Sequence, residues 1–356
     1  MMNDLKYLSC YLVPLSAWIA IEYPATLAFL PVAFSFGFLP LLELFLPANS
    51  NNLSETEEKF RLSDRSYDFI LALSFPIQWS LLIYFIYSAS THDYTLLQLT
   101  GLTLGVGICS GVLGINAAHE LGHRNKLFEQ LLAQGLLLSS LYTHFYIEHN
   151  RGHHKHVATP LDPASARLNE NVYAFIIRSV SGSYVSAWRI QMSLLRKEKH
   201  SFFSYHNKML LFLILQLGLI AGIYILFGLL AMLAFLGTAL TGIVLLEVIN
   251  YIEHYGMQRR KLPDGNYEKV LPSHSWNANY PIGRIMLFEL TRHADHHYKA
   301  SRKYQVLRHW DQSPELPTGY PGMMLLSTLP PIWFKVMNPK VAKLRQSSQN
   351  MAVNIS

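Results

Sequence analysis

Only two cysteines, Cys10 and Cys109, stand in a chain of 356 residues. They cannot build a disulfide framework or a four-cysteine metal site, and since both lie in apolar runs each reads as a small buried hydrophobe. Charge is also scarce: Asp, Glu, Lys and Arg make up 15% of the residues, against about 25% in ordinary soluble domains. Hydrophobic residues make up 51%, gathered into runs that argue for membrane spans over one large soluble core. The net charge of +6 would suit nucleic acid, but its distribution fits membrane topology instead. There is no internal repeat and no low-complexity tract.

A spanning helix needs about 20 mostly apolar residues. Six runs are read as spans: 8–21, 25–46, 68–89, 96–118, 209–227 and 229–251. The first is short and similar to a signal-peptide core, but it has no clear cleavage site and another span follows at once. Spans one and two turn at Glu22-Tyr23-Pro24, and spans five and six near Gly228. The stretches 22–24, 90–95 and 228 contain no Lys or Arg; all 29 lie in the alternate segments. An excess of Lys and Arg marks the cytoplasmic side, so both termini face the cytoplasm. The expected organisation is four spans in 1–118 with a cytoplasmic loop at 47–67, a cytoplasmic segment 119–208, two spans in 209–251 and a cytoplasmic cap 252–356. Within these two cytoplasmic segments, Leu127–Ser139 is expected to be a membrane-surface helix and 321–337 an interfacial segment. The last fifteen or so residues are expected to fray.

Histidine, by contrast, is abundant, and at chelating spacings. Of 16 histidines, four fall in His149-Asn-Arg-Gly-His153-His154-Lys-His156 and three in His293-Ala-Asp-His296-His297. His119-Glu-Leu-Gly-His123 begins where the fourth apolar run ends, and His254 follows the sixth. Residues three and four apart share a helical face, so His119 pairs with His123, and His293, His296 and His297 share a face. Gly152 is expected to let the second cluster bend. HELGH also fits the HExxH zinc-protease pattern, but a protease glutamate needs a water-filled groove, not a bilayer surface crowded with further imidazoles. Any one of these histidines alone would pass for a packed or solvated residue. Nine on one membrane face do not: His119, His123, His149, His153, His154, His254, His293, His296 and His297. One ion takes about four such ligands, so nine imply two ions. Imidazole suits zinc, copper, iron and nickel, and spacing leaves that choice open. A metal transporter or sensor would want ligands along a path inside the spans, whereas these stand at helix feet. His144, His156 and His274 are read as neighbours of the site, and His92, His200, His206 and His309 as surface residues.

The boxes HELGH (119–123), EHNRGHHKHVATPLDPASAR (148–167), NYIEHYG (250–256) and LTRHADHH (290–297), with LPSHSWN (271–277) and LPTGYPGMMLL (316–326), resemble the integral-membrane alkane 1-monooxygenases of the membrane fatty-acid desaturase and hydroxylase superfamily. The likeness covers nearly the whole chain. The histidine boxes alone specify the superfamily, while NYIEHYG and ATPLDPASAR are specific to the alkane enzymes. The resemblance implies an all-α membrane protein with six transmembrane helices and a cytoplasmic histidine-rich cap holding a dimetal site. The nine histidines would bind two iron ions, a non-haem diiron pair, with O2 as co-substrate. The expected reaction is hydroxylation of medium- or long-chain linear alkanes to 1-alkanols at the bacterial inner membrane. Electrons would come from a separate rubredoxin served by rubredoxin reductase, since the chain has no rubredoxin cysteine motif. His156 stands where the family usually has another residue and is not counted as a ligand. A xylene-type aromatic side-chain monooxygenase and a lipid desaturase or hydroxylase remain as alternatives.

A terminal C–H bond offers no dipole or labile proton to a side chain, so the metal must supply the oxidant and the protein must position the chain and exclude water. Glu120, Glu148, Asp162, Glu253 and Asp295 are candidates to orient imidazoles through their free N–H groups; helix capping or solvation is the other reading. Glu247 lies inside the sixth span, where an acid is costly and functional by default. In Phe34-Ser35-Phe36-Gly37-Phe38, Ser35 either faces the substrate channel, leaving room for longer alkanes, or packs against a neighbouring helix. Arg259, Arg260, Lys261, Arg302, Lys303 and Arg308 could dock an acidic electron carrier or touch anionic lipid.

Overall fold

The computed structural model describes residues 5–353, which are helical apart from loops and two isolated bridges, Lys261–Tyr267 and Asn277–Glu315. Four helices among the described residues are long and apolar enough to cross a membrane: Pro24–Leu44, Ser66–Thr91, Leu96–Gly122 and Lys208–His254. The last has 47 residues, about twice what a bilayer needs, and it is broken at Gly228. There φ is 83°, a conformation glycine adopts without the Cβ penalty. The break falls where spans five and six were expected to turn. The first expected span is shorter than the others: a 3-10 stretch, Leu5–Tyr11, leads into the helix Leu12–Glu22.

Side chains such as Ile214, Leu217, Ile225 and Leu226 on Lys208–His254 point outward, the last two 75% exposed. A helix apolar on all sides with so much of it uncovered suits lipid, not water. Inside, Leu82, Phe85, Leu102, Val106, Cys109 and Phe235 form one apolar cluster between the long helices. Small residues let those helices touch: a Cβ at Gly107 would stand 2.4 Å from Thr241, as in close-packed membrane helices.

The polar segments are tied together. Glu58 accepts Arg308 Nη2 at 2.7 Å and Asp68 pairs with Lys303 at 2.8 Å. Arg292, 1% exposed, donates to the carbonyls of Leu307 at 2.7 Å and Asn51 at 2.9 Å. These ties change the expected docking patch. Arg302 is bound to Asp295, Lys303 to Asp68 and Arg308 to Glu58, and Arg259 donates to the backbone of Lys155, Val157 and Glu268. Arg260 also lies 3.6 Å from Glu268, so five of the six cations have partners.

Leu127–Ser139 is a helix with the expected bounds. The segment 321–337 becomes two helices, Tyr320–Ser327 and Pro330–Val353, the second starting at a proline whose missing N–H is harmless there. Trp333 faces the protein interior. It is fully buried, 5.1 Å from the Tyr251 ring and 5.3 Å from Tyr255, where it braces the foot of Lys208–His254. The tail expected to fray continues that helix to Val353. Strong helix formers such as Ala342, Lys343, Leu344 and Arg345 favour it, and Arg345 donates to the Gly256 carbonyl at 3.0 Å.

Candidate metal centre

Two histidine boxes are carried by distorted helix. Ser110–Asn116 widens into a π-helix just before Ala117–Gly122, and His149–His153 is itself π-helical. A third π segment, Phe34–Phe38, carries Ser35. A π turn re-aims side chains within a continuous helix and recurs at functional sites. Gly152 does not bend the second box as expected, because the chain stays helical through it. Its role is close approach: a Cβ there would lie 2.4 Å from Glu148 Oε1.

All nine predicted histidines converge, in two groups. His119, His123, His149, His154 and His296 form one, and His153, His254, His293 and His297 the other. The third box therefore divides, with His296 in the first group and His293 and His297 in the second. Within the first group Nε2 of His154 lies 3.2 Å from that of His123, 3.0 Å from His149 and 3.1 Å from His296, and His119 to His296 is 2.8 Å. In the second, His153 to His297 is 3.2 Å, His297 to His293 2.9 Å and His293 to His254 3.1 Å. The rings of His154 and His297, 4.5 Å apart, join the groups. His156 belongs to neither.

Hydrogen bonding cannot account for these contacts. A neutral imidazole has one N–H, yet Nε2 of His154 faces three others. Converging lone pairs call for a cation: two nitrogens each about 2.1 Å from one ion and at right angles lie about 3 Å apart. The residues therefore fit a metal at each group. Burial pushes the pKa values of His149, His154, His293, His296 and His297 well below the usual histidine range, with neighbouring imidazoles adding to the shift. The rings are thus kept in the neutral, metal-binding form. At His153 burial acts in the same direction, but the Asp162 carboxylate outweighs it and holds the pKa up.

The five candidate acids separate. Asp162 does what was expected, its Oδ2 accepting His153 Nδ1–H at 2.9 Å. Glu253 reaches an imidazole from the other side: its Oε2 lies 3.2 Å from His293 Nε2, among the converging nitrogens, while Oε1 accepts the Tyr320 hydroxyl at 2.8 Å. The other three touch no ligand imidazole. Glu120 is claimed by Arg124 at 2.7 Å and the Tyr304 N–H at 3.2 Å, and Glu148 accepts Ser186 at 3.3 Å. Asp295 is taken by Arg302, Trp310 and the Arg308 N–H. In each case a nearer cation, hydroxyl or amide satisfies the carboxylate. Burial and the neighbouring Asp162 push Glu148 up to about 8. Glu247 is buried and accepts the Tyr142 hydroxyl at 2.7 Å.

An apolar cavity of about 80 Å³ ends at this centre. Ser35, Phe36 and Leu39 line one side, Ile108 and Val112 another, and Leu245, Ile249 and Met286 the remainder; His119, His149, His293 and Glu253 stand in its wall. Ser35 Oγ is buried without a hydrogen-bond partner. Phe145, Asn116 and Tyr320 also line the cavity and carried no role in the sequence reading. The only signal for Tyr320 was its place in LPTGYPGMMLL.

The fatty acid desaturase family model matches residues 94–325. Alkane 1-monooxygenase 1 of Pseudomonas aeruginosa is 39% identical over 92% of this chain and 87% of its own length. The alkane 1-monooxygenase of Ectopseudomonas oleovorans is 40% identical over 86% of this chain and 76% of its own. The xylene/toluene monooxygenase hydroxylase component of Pseudomonas putida is more distant, at 29% over 72% of this chain and 67% of its own.

Proposed function

Because the chain belongs to the alkane 1-monooxygenases and to the fatty acid desaturase family, we propose that it hydroxylates the terminal carbon of linear alkanes at a histidine-bound diiron centre. The observation that carries this reading is the cavity: an apolar space among membrane-type helices that closes on His119, His149 and His293. A linear alkane would enter from the bilayer and meet the centre end-on. When bound, two iron ions would supply the O2 activation and oxidising power that no side chain offers. The protein's share is to hold nine imidazoles in place, to orient His153 through Asp162, and to keep water from the reacting carbon with apolar walls.

In this reading the chain crosses the bacterial inner membrane six times. Leu5–Glu22 and the two halves of Lys208–His254 complete the count, and the segments 119–208 and 252–356 form the cytoplasmic cap. The absence of Lys and Arg from 22–24, 90–95 and 228 supports that orientation. A separate rubredoxin, reduced by its reductase, would deliver electrons to the cap. The ion pairs of Arg302, Lys303 and Arg308 argue against a free cationic patch there, so raised salt is expected to slow rubredoxin-dependent turnover only slightly.

Whole cells expressing the chain should convert octane and hexadecane to 1-alkanols and leave the xylene methyl groups largely unoxidised. The purified protein should carry two iron ions per chain. Benzylic alcohol as the main product would replace this reading with the aromatic one; no iron and no alkane-dependent O2 uptake would overturn it. Ser35→Trp should fill the cavity beside Phe36 and shorten the accepted chain, so that hexadecane conversion falls far more than octane conversion. An unchanged product-length profile would remove Ser35 from the channel.

A further inference from the structure

The cavity wall contains a tie that neither the histidine boxes nor the acids beside them explain. Glu43 stands near the end of Pro24–Leu44, one turn beyond the cavity-lining Leu39, and is 1% exposed. An acid so placed in a spanning helix is costly and rarely idle. Its Oε1 accepts the Gly283 N–H at 2.7 Å. Its Oε2 is buried without a hydrogen-bond partner and lies against Gly319, where an added Cβ would stand 1.9 Å away; a Cβ at Gly283 would stand 3.0 Å from Oε1.

The two glycines belong to elements that build the cavity. Gly283 lies in the helix Pro281–Met286, which lines the cavity through Ile282, Gly283 itself and Met286. Gly319 is the N-cap of Tyr320–Ser327, which lines it through Tyr320, Pro321 and Met324 and whose Tyr320 hydroxyl holds Glu253. One buried carboxyl therefore joins three helices, and each of the three supplies cavity wall.

We propose that Glu43 is a positioning residue for alkane hydroxylation, its carboxyl seated between Gly283 and Gly319 to fix the wall that holds the chain end at the histidine groups. This rests on the alkane-hydroxylase reading and deepens it. Without the tie, Pro281–Met286 and Tyr320–Ser327 are free to draw away from Pro24–Leu44. The cavity then widens beside Glu253, and a bound chain presents its second carbon as well as its first.

The test compares wild type, Glu43→Ala, Glu43→Gln, Gly319→Ala and the double variant Glu43→Ala/Gly319→Ala, in whole cells on octane and as purified holoenzyme supplied with reductant. Glu43→Ala is expected to raise the ratio of 2-octanol to 1-octanol by about tenfold, and to raise KM more than it lowers kcat, at unchanged iron content. Glu43→Gln keeps an acceptor for the Gly283 N–H and should recover most of the terminal selectivity. Gly319→Ala drives a methyl into the carboxyl and should give the same shift alone, yet add little in the Glu43→Ala background, since contacting residues are not additive. Should Glu43→Ala fail to accumulate in the membrane, Glu43→Asp takes its place in the same comparison. Unchanged selectivity and KM in the single variants, or additive effects in the double variant, would overturn the role of Glu43 alone. Wild type that makes no octanol at all would overturn the alkane reading and this inference with it.

Discussion

His254→Ala is expected to abolish alkanol formation and to lower the iron content of the purified protein from two ions per chain to about one. The reason lies in the unequal groups. His254 shares its group with His153, His293 and His297 only, and its Nε2 lies 3.1 Å from that of His293. Its removal leaves three nitrogens in a fully buried space, with Glu253 the one acid already in contact with His293 Nε2. His123→Ala removes one ligand from a group of five and leaves four, about the number that holds an ion firmly. That variant should therefore keep most of both ions while losing activity. Removing residues that only orient a ligand typically costs about 10–100-fold; loss of a ligand itself should exceed this, to about a thousandfold or more. Iron analysis beside turnover separates the two cases. Equal iron loss in both variants would mean that the nine histidines form one shared set, not two.

Much of this centre is legible in the sequence because its ligands obey helical spacing. The pair at 119 and 123 falls in one group, while the run 149, 153 and 154 divides, with His149 and His154 in the first group and His153 in the second. What spacing cannot give is the partition. His293, His296 and His297 lie on one short helix, yet His296 turns to His119 and His154 while His297 turns to His153. That depends on where Leu96–Gly122 and the 145–156 segment stand, which is a property of packing. The π segments are hidden for the same reason: Ser110–Asn116 and Phe34–Phe38 look like ordinary helix in a residue pattern, and only the structure reveals the extra residue per turn.

The acids show the limit differently. All five candidates were chosen for standing near a histidine box in the chain, but a carboxylate bonds whatever is nearest in space. For Glu120 that is Arg124, four residues on along the chain, and for Asp295 it is Arg302, seven residues on. Glu43 carried a usable signal, an acid at the end of an apolar run in Leu39-Pro-Leu-Leu-Glu43-Leu. It received no role in the sequence analysis, and its partners, Gly283 and Gly319, have no side chains to suggest contact.

Asp162→Asn should cost about 10–100-fold in activity and in iron affinity, confined to the four-histidine group. The carboxylate uses both oxygens as acceptors: Oδ2 takes His153 Nδ1–H at 2.9 Å and Ser165 Oγ–H at 2.6 Å, and Oδ1 takes the Ala164 N–H at 3.1 Å. An amide has one acceptor and one donor end. If its oxygen faces His153, its NH2 meets the Ala164 N–H. If its NH2 faces His153, the imidazole must carry its proton on Nε2, the nitrogen that faces His297 and would bind the metal. The first orientation leaves buried donors opposed, and the second removes a ligand. Glu120→Gln is the matched control, also a buried acid beside a box. Its carboxylate holds Arg124 and the Tyr304 N–H and touches no imidazole, so it should lower thermal stability and leave iron content near two per chain. Iron loss in Glu120→Gln equal to that in Asp162→Asn would show that burial of the acid, rather than its bond to His153, secures the metal.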